Sequence, residues 1–490
     1  MIPLSLISKD NFNEILPGGD GEPEWISNNR NKAISQFSKL PFEVSPLYSK
    51  YTGLTMLEPE KIFFSNTESS ALSNDLKIRL EEIRSAPSLI IVGSSVAHIY
   101  VPEQLSKQGL IISSIGEAFV KHPELLRKHF EDNANNYGED RFLSLGLSSF
   151  QSGFFIYVPK NLVIPEPIRI VYSLRDDGTS SICRNVVISD VGSKATVVQE
   201  LYSSSPSSSS STLSGGVSDE QAGKSDKNKT QQCYFEVLEC GIKPTSELEF
   251  ITLQAMDLFT VNVSNRKAFV EQDGKMSWYS GMFGTSLCRY KTDSIMKGSG
   301  ASSEDVEIVF GTEKQLFDIT SNLDHDGYST RGRVMVKSIM KDESKSLFKG
   351  MIKIRKDAKI SEAYLAGHAI LLNKGSHSDA IPGLEIETNE VKATHSASVS
   401  QIDEEQIFYL MCKGLDRESA KREIVHGFVE PLSRKMGPFI RAWISYLFEN
   451  KWTGKPLLLK TDEVMAQILE VEKSRYKETA NIFEKHYKYR

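Results

Sequence analysis

Residues 298–311, GSGASSEDVEIVFG, contain the pattern that decides the fold: a corner of small and acidic residues leads directly into a short β-rich run. Similar runs recur between residues 145 and 400, with turn residues between them. They include FFIYV (154–158), IRIVYSL (168–174), NVVISDV (185–191), YFEVLECGI (234–242), VMVKSIM (334–340) and SLFKGMIKI (346–354). Short runs of β-branched and aromatic residues bounded by turn residues are typical of strands. We therefore expect a mainly β core.

The close spacing of these strands leaves a sandwich, a barrel or a solenoid open. Corners rich in small or polar residues, such as 298–305 and RKDAKISEA at 355–363, favour stacked coils. In a β-helix, each coil is built from short strands joined by such corners, and each coil contacts only its neighbours. The residues favour the β-helix without excluding the sandwich.

Helical patterns flank the β-rich part of the chain on both sides. Before residue 140, apolar residues recur at helical spacing at 27–40, 71–84 and 115–130, the last broken near Pro123. After residue 400, helices are predicted at 403–415, 417–436, 437–450 and 460–490. We therefore expect an N-terminal mixed helical region (1–140), a β core (141–400) and a C-terminal helical domain (401–490).

One segment interrupts the β core. Residues 203–230 read SSSPSSSSSTLSGGVSDEQAGKSDKNKT, with no aromatic residue and with Leu213 and Val217 as the only large aliphatic residues. Such a segment buries too little apolar surface to offset the entropy of ordering it. Because strand-like runs continue on both sides, we expect a flexible insertion within one domain.

The composition excludes several classes of function. The 490 residues carry 58 Lys and Arg against 64 Asp and Glu, and this balance argues against nucleic acid as the main partner. Five cysteines without a CxxC spacing predict reduced, mostly buried thiols. The longest apolar stretch, 88–101, is too short and too interrupted to cross a membrane, so we expect a cytoplasmic protein without a membrane partner.

Motifs for catalysis are missing from the sequence. There is no P-loop, no GxGxxG between a strand and a helix, no HExxH and no GxSxG. The acidic residues show no pair that stands out as a glycosidase acid and base. The residues alone therefore predict a β-rich protein with helical ends and assign it no reaction.

Four stretches resemble the SufB/SufD family, whose members are subunits of the iron–sulfur cluster assembly complex. They are FKGMIKI (348–354), AILLNKGSHSDAIPGLEI (369–386), THSASVSQIDEEQIFYL (394–410) and HGFVEPL (426–432). Earlier stretches add to the likeness, including EPEW (22–25), HPELLRKHF (122–130) and SGFFIYVPKNLVIPEPIRI (152–170). Together these stretches touch most of the chain except the Ser-rich insertion.

The resemblance implies a right-handed parallel β-helix core flanked by N-terminal and C-terminal helical regions. It implies a scaffold that is no enzyme by itself and that pairs through the β-helix with a SufB-like chain or with itself. A SufC-like ABC ATPase would dock on the C-terminal helical domain, and ATP would bind only to that partner. Closure of the ATPases would then remodel the pair, with a transient iron–sulfur cluster at the shared interface.

Two positions suggest that the chain is closer to SufD than to SufB. The SufB branch carries a scaffold cysteine six residues before the proline that is Pro382 here, and that position holds Ser376. A hydroxyl is a poor ligand for iron compared with a thiolate. The SufD branch carries a histidine matched by His395, whose imidazole can ligate iron. SufD-like proteins often have cysteine at the position of Ala393 and glycine at that of Ser396, and both departures weaken the transfer of the ligand role.

Alternative interpretations remain open for several residues and for the function. Glu405 matches an acidic position that SufB-type scaffolds use, yet an acid in the first turn of a helix is also favoured by the helix dipole. Phe408 and Tyr409 could bind the ATPase or fill the domain core, and core packing is the simpler reading. His325 could line an interface or stand in a solvated turn, and we expect the turn. A self-pairing homodimeric scaffold and, more remotely, a β-helix polysaccharide-processing enzyme are the alternative functions.

Overall fold

The computed structural model describes residues 1–16, 22–37, 39–40, 56–66, 71–132, 140–203, 230–434, 436–455, 457 and 465–474. The predicted flexible insertion at 203–230 lies outside the described residues except for its two end positions. The predicted helix at 460–490 is described only over 465–474, and that part is helical.

The strands form two large sheets. Their bounds are β1 Ile2–Pro3, β2 Phe63–Phe64, β3 Ser88–Val92, β4 Ser95–Tyr100, β5 Ile111–Ser114, β6 Phe154–Val158, β7 Ile168–Ser173, β8 Thr179–Ser189, β9 Lys194–Tyr202, β10 Gln232–Ile242, β11 Glu247–Ala255, β12 Thr260–Val270, β13 Lys275–Met282, β14 Leu287–Met296, β15 Ser302–Gly311, β16 Leu316–His325, β17 Arg331–Met340, β18 Lys345–Ile354, β19 Glu362–Leu371, β20 His377–Ile386 and β21 Lys392–Gln401. From β7 onward, odd-numbered strands belong to one sheet and even-numbered strands to the other, which we call the odd sheet and the even sheet.

Successive coils stack in parallel register. Leu287 of β14 pairs with Leu316 of β16, which pairs with Lys345 of β18, so one coil takes 29 residues here. Each coil contributes one strand to each sheet, and the result is a parallel β-solenoid of about eight turns with helices at both ends. The predicted mainly β fold with helical flanks is confirmed.

The space between the two sheets, the lumen, is filled by side chains that alternate with outward-facing ones. Its apolar members form the largest hydrophobic cluster, with Phe250, Trp278, Tyr290, Val334 and Leu365 among them. In a strand, alternate residues point to opposite faces. The positions of these core residues therefore show which residues of each strand face inward.

Corners between the sheets also stack, and they explain the small and polar residues of the sequence pattern. Asp273, Ser329 and Ile360 have positive φ angles of 53°, 56° and 58°. The N–H of Asp273 donates to the carbonyl of Ser299 in the next coil, and the N–H of Ile360 donates to the carbonyl of Glu390. Left-handed backbone suits glycine, asparagine and aspartate, whereas a β-branched side chain is strained there.

Replacing Ile360 by asparagine is expected to raise the free energy of unfolding by about 1 kcal/mol, because Asn tolerates the left-handed conformation. Ile360 is 52% exposed, so little packing is lost with it. Urea unfolding measures the change. Ile78→Asn is the matched control, since Ile78 is 53% exposed within a right-handed helix. Equal effects of the two substitutions would contradict the strain at residue 360.

Helices cover the first coils. Their bounds are α1 Glu24–Phe37, α2 Asn74–Ile83, α3 Glu103–Lys107, α4 Ile115–Lys121, α5 Pro123–Asp132 and α6 Arg141–Ser149. The predicted break near Pro123 is confirmed, because α4 ends at Lys121 and α5 begins at Pro123. Strands β3 and β4 precede residue 140 and pair within the odd sheet, whereas α6 follows it, so the division at residue 140 stays a prediction.

Three C-terminal helices, α7 Glu404–Cys412, α8 Arg417–Ser433 and α9 Pro438–Trp452, follow the solenoid, and a helical segment, α10, covers 465–474. Asp416 caps α8, accepting hydrogen bonds from the N–H groups of Glu418 and Ser419. Val425 of α8 and Trp443 of α9 pack with Phe310 on the outer face of the odd sheet. The buried amine of Lys451 donates to the carbonyl of Phe283 and to Gln315, which fixes α9 to a corner of the solenoid.

Candidate functional site

The last coil, formed by β20 and β21, places His395 at the end of the lumen. His395 lies in β21 in register with Leu365, a buried lumen residue of β19. Ala393, two residues earlier, packs against the lumen core. Residues in register on parallel strands share a face, so the His395 side chain is on the lumen side. It is nevertheless exposed, because β21 ends the strand order of the odd sheet.

Apolar side chains surround this position in the last coil. Leu384, Ile386 and Val399 are 36%, 42% and 43% exposed. Leu384 and Ile386 are in register with Ile352 and Ile354, which are fully buried one coil earlier. The lumen of the last coil therefore presents an apolar surface to solvent at the point where a further coil would stack. We call Leu384, Ile386, Val399 and His395 the end surface.

The apolar part of the end surface was not predicted from the sequence. A usable signal was present in HSDAIPGLEI, where alternate positions hold Ala380, Pro382, Leu384 and Ile386. Strict alternation predicts which residues share a face. It does not say that the face is exposed, since that depends on this coil being the last.

Ser376, at the position of the SufB-type cysteine, stands in the corner before β20. It is buried, and its hydroxyl donates a 2.7 Å hydrogen bond to the carbonyl of Asn373. The side chain thus closes a turn. A hydroxyl in this role has little ligand capacity to offer, and the absence of the SufB-type cysteine function at this position stays a prediction.

Glu405 stands in the first turn of α7, ten residues after His395. Its N–H donates to the Asp403 carboxylate at 2.9 Å, and its side chain is exposed. Within the described part of the chain, no hydrogen bond or ion pair joins Glu405 to His395. The structure therefore places both residues near the same end of the solenoid without bringing them into contact.

The apolar residues of α7 correct one expectation. Phe408 and Tyr409 are 67% and 61% exposed, so the expectation that they fill the domain core is wrong. The helix rests on its neighbours through Ile407, which is fully buried, while Met411 and Leu415 add to the exposed apolar area. We call Phe408, Tyr409, Met411 and Leu415 the α7 patch. Val429 of α8, by contrast, is buried.

His325 also departs from its expected environment. It is the last residue of β16 and is fully buried, so the prediction of a solvated turn is wrong. Its Nδ1 lies 2.8 Å from the Thr330 hydroxyl. Burial lowers the pKa of His325 to about 4, so the ring stays neutral at physiological pH. Inside the lumen it is a structural residue.

Four of the five cysteines are buried and all five are free, in line with the expected reduced thiols; Cys412 is exposed. Burial raises the pKa of Cys183 to about 12, and burial likewise raises that of Cys240. The thiolate is the form that ligates metal, so these buried thiols are unsuited to that role. The described residues contain no cluster of three or more His, Cys, Asp or Glu side chains that could hold a metal ion.

None of the helices in the described ranges is long and apolar enough to cross a lipid bilayer.

Two protein-family models match consecutive parts of this chain and together cover nearly the whole solenoid. Residues 171–428 match the family model described as SUF system FeS cluster assembly, SufBD core domain. Residues 20–170 match the SufBD protein N-terminal region. The junction between the two matches lies at residues 170 and 171, at the start of the continuous stack of coils.

Curated relatives agree with the family match. The chain is 25% identical over 431 residues to an iron–sulfur cluster assembly SufBD family protein of Staphylococcus saprophyticus, covering 85% of this chain and 86% of the relative. A Staphylococcus epidermidis relative of the same description is also 25% identical, with the same coverage. A Staphylococcus aureus relative is 24% identical over 428 residues, again covering 85% of this chain and 86% of the relative. The chain therefore belongs to the SufBD family of iron–sulfur cluster assembly proteins.

Proposed function

We propose that this chain is a non-catalytic scaffold subunit of the SUF complex, closer to SufD than to SufB, and that it pairs with a SufB-like chain through the end surface. The observation that carries the proposal is the exposed lumen of the last coil, where His395 stands among Leu384, Ile386 and Val399. Exposed apolar side chains in a cluster mark interaction sites. The terminal strands β20 and β21 also offer backbone edges to a partner.

In this proposal His395 supplies an imidazole nitrogen to the nascent cluster, which is the cargo of the complex and passes on to a recipient. A neutral imidazole is a common iron ligand. Glu405 is the second proposed ligand and supplies a carboxylate oxygen from the start of α7. Because Ser376 is engaged in a turn, the proposal assigns the thiolate ligands to the SufB-like chain. The free cysteines support action in the cytoplasm, where thiols stay reduced.

We further propose that the α7 patch docks an ABC-type ATPase, which binds the ATP. Phe408 and Tyr409 are large, rigid and exposed, and aromatic residues of this kind dominate binding energy at interfaces. The C-terminal helices are tied to the solenoid: Lys337 in the odd sheet donates to the carbonyl of Phe428 in α8. Movement of the ATPases can therefore be passed to the sheet whose last strand carries His395.

Co-expression with a SufB-like chain and an ABC-type ATPase tests these assignments separately. The Leu384→Asp/Val399→Asp variant is expected to bind the SufB-like chain at least about 100-fold more weakly, because a carboxylate is buried in an apolar contact. It should still bind the ATPase. Phe408→Asp/Tyr409→Asp should show the reverse pattern, so that each variant serves as the folding control of the other.

His395→Ala should keep both partners and lose the cluster absorption band after anaerobic reconstitution. Normal cluster assembly by this variant would contradict the ligand role. Failure of the unchanged chain to bind either partner would contradict the scaffold function as a whole. A homodimer that carries a cluster without a SufB-like chain would replace pairing between different chains by self-pairing.

A further inference from the structure

A groove of about 550 Å³ crosses the outer face of the odd sheet, on the face of β21 opposite to the end surface. It runs over the first residues of β13, β15, β17, β19 and β21, so its long direction follows the stacking of the coils. Its charged lining comprises four basic and two acidic side chains: Lys275, Arg331, Arg333, Lys392, Glu304 and Glu362. The groove is thus net positive on a chain whose formal charge is −6.

The basic residues follow a regular spacing that the register fixes. Lys275 pairs with Ser302, Ser302 with Arg331, Arg331 with Glu362 and Glu362 with Lys392. Cations therefore stand on the first, third and fifth strands of one row. Because neighbouring strands lie about 4.8 Å apart, successive cations of this row repeat at about 10 Å.

The side chains of this row point away from the lumen. Met276, Ala363 and Ala393 directly follow three members of the row, and each packs in or against the lumen core. Adjacent residues of a strand point to opposite faces, so the row faces outward. Its cations are also exposed, which leaves them accessible from the groove.

Ion pairs within the groove neutralise only part of its positive charge. Lys392 lies 3.5 Å from Glu362, and Arg333 lies 4.0 Å from Glu304. Arg331, at the centre of the row, has no carboxylate within ion-pair distance among the described residues. Exposed ion pairs of the kind present here are weak, so a ligand with well-placed carboxylates can compete with them.

We propose that this groove binds an acidic segment of a partner protein in the polyproline II conformation, with a carboxylate at every third residue. A polyproline II helix has three residues per turn and rises about 3.1 Å per residue, so every third side chain returns to the same face after about 9 Å. That repeat matches the spacing of Lys275, Arg331 and Lys392. Tyr364, in the groove lining, offers a ring on which prolines can pack.

The alternative of an extended β-strand ligand fits the row less well. In a strand, residues three apart point to opposite faces, so only one of two such carboxylates would reach the groove. The groove floor is moreover a sheet face whose backbone groups are already paired with neighbouring strands. The proposal does not depend on the proposed pairing, because the end surface uses the opposite face of β21.

Fluorescence anisotropy with the full chain tests the proposal at low salt. The probe is a labelled peptide of three Pro-Pro-Glu repeats, and the comparison peptide has the same composition with the three glutamates together. The repeat peptide should bind at least about tenfold more tightly, and added salt should weaken it. Arg331→Glu should weaken binding about tenfold or more, since attraction at the centre becomes repulsion. Arg331→Gln should give a smaller loss.

Lys314→Glu is the matched control, because Lys314 is an exposed lysine outside the groove and its side chain is 79% exposed. It should leave binding unchanged. Equal binding of the two peptides would overturn the proposal, and so would equal losses from Arg331→Glu and Lys314→Glu. Displacement of the repeat peptide by an equal concentration of inorganic tripolyphosphate would also overturn it, because the groove would then be a general anion site. Circular dichroism of each variant verifies that it is folded.

Discussion

The Arg266→Met variant is expected to lose about 3–5 kcal/mol of unfolding free energy, because it leaves the carboxylate of Glu236 buried without its counter-ion. Both side chains are fully buried in the lumen, and the Arg266 guanidinium donates to Glu236 at 2.6 and 2.9 Å. The guanidinium also donates to Gln199 and to Thr252. A single substitution therefore breaks a connected network across the interior of several coils.

Glu236 depends on the same network for its remaining hydrogen bonds. It accepts from Asn185 at 2.9 Å, from Gln199 at 2.6 Å and from the Tyr234 hydroxyl at 3.0 Å. When a buried polar group loses one hydrogen-bond partner, the folded state is destabilised by more than that hydrogen bond contributed, since water cannot replace the lost partner. This is why we expect the effect of Arg266→Met to exceed that of an ordinary salt-bridge deletion.

Urea unfolding with a double-mutant cycle measures the coupling. Arg266→Met/Glu236→Gln should recover part of the loss, because the uncompensated charge is gone. Arg355→Met is the matched surface control: Arg355 makes a bidentate pair with Asp324 on the outside, and we expect a loss below about 1 kcal/mol. Strictly additive losses in the double variant would show that the two residues act independently.

Replacing Asp305 and Glu307 by their amides should raise the unfolding free energy at pH 8 by about 2–4 kcal/mol, since each carboxyl is buried and has no counter-ion of its own among the residues that the structure describes. Asp305 and Glu307 are two positions apart in β15, and both side chains are on its lumen side. The Ser321 hydroxyl lies 3.2 Å from Glu307, while one oxygen of each carboxyl is buried and has no hydrogen-bond partner in the described ranges of the chain. The nearby cation, Arg266, is engaged with Glu236.

The sign of the pH dependence follows from the proton balance. Burial raises the pKa of Asp305 to about 7 from 3.8, and burial followed by the charge of Asp305 raises the pKa of Glu307. Between about pH 4 and pH 7, the Asp305 carboxyl is therefore ionised in the unfolded chain and still protonated in the folded chain. Stability contributed by the neutral Asp305 carboxyl is therefore lost as the pH rises from about 4 to about 7, and the raised pKa of Glu307 adds to this loss.

Unfolding measured from pH 5 to pH 8 tests this account. The amide variant should show a flatter fall in stability than the unchanged chain over this range. His129 and His325, whose pKa values burial lowers to about 4, contribute the opposite slope below pH 6.5, and they are the same in both proteins. Glu103→Gln, which removes an exposed carboxylate of α3, should leave the slope unchanged. An equal slope in all three proteins would refute the neutral acid pair.

The sequence predicted those elements whose signals are local. The helix that begins at Arg417 was predicted from that position onward, and the Asp416 carboxylate before it satisfies free N–H groups. Pro123 marks a helix boundary because proline cannot continue the preceding turn. The corners at 298–305 and 355–363 favoured stacked coils for a related reason, since left-handed positions select small and polar residues. Ile360 is the exception, and nothing in its local sequence reveals the strain.

The site depended on tertiary contacts and was harder to predict. Phe408 and Tyr409 look like core residues on a helical stripe, and only the packing of α7 shows that they are exposed. Asp305 and Glu307 lie within VEIVFG and its corner, where strands buried on both faces hide the usual alternation. His395 was identified through resemblance, because one histidine in a strand carries no signal of its own.

The position of His395 in the last coil has a consequence for its motion. A coil in a solenoid is held by its neighbours, and β20 and β21 have a neighbouring coil on one side only among the described strands. Local opening of these strands therefore requires less free energy than opening β14 or β15, and their amide hydrogens should exchange first. In the ligand role proposed for it, His395 would gain a fixed geometry only once a partner stacks on the last coil. The proposal therefore implies that the subunit alone binds iron more weakly than the pair does.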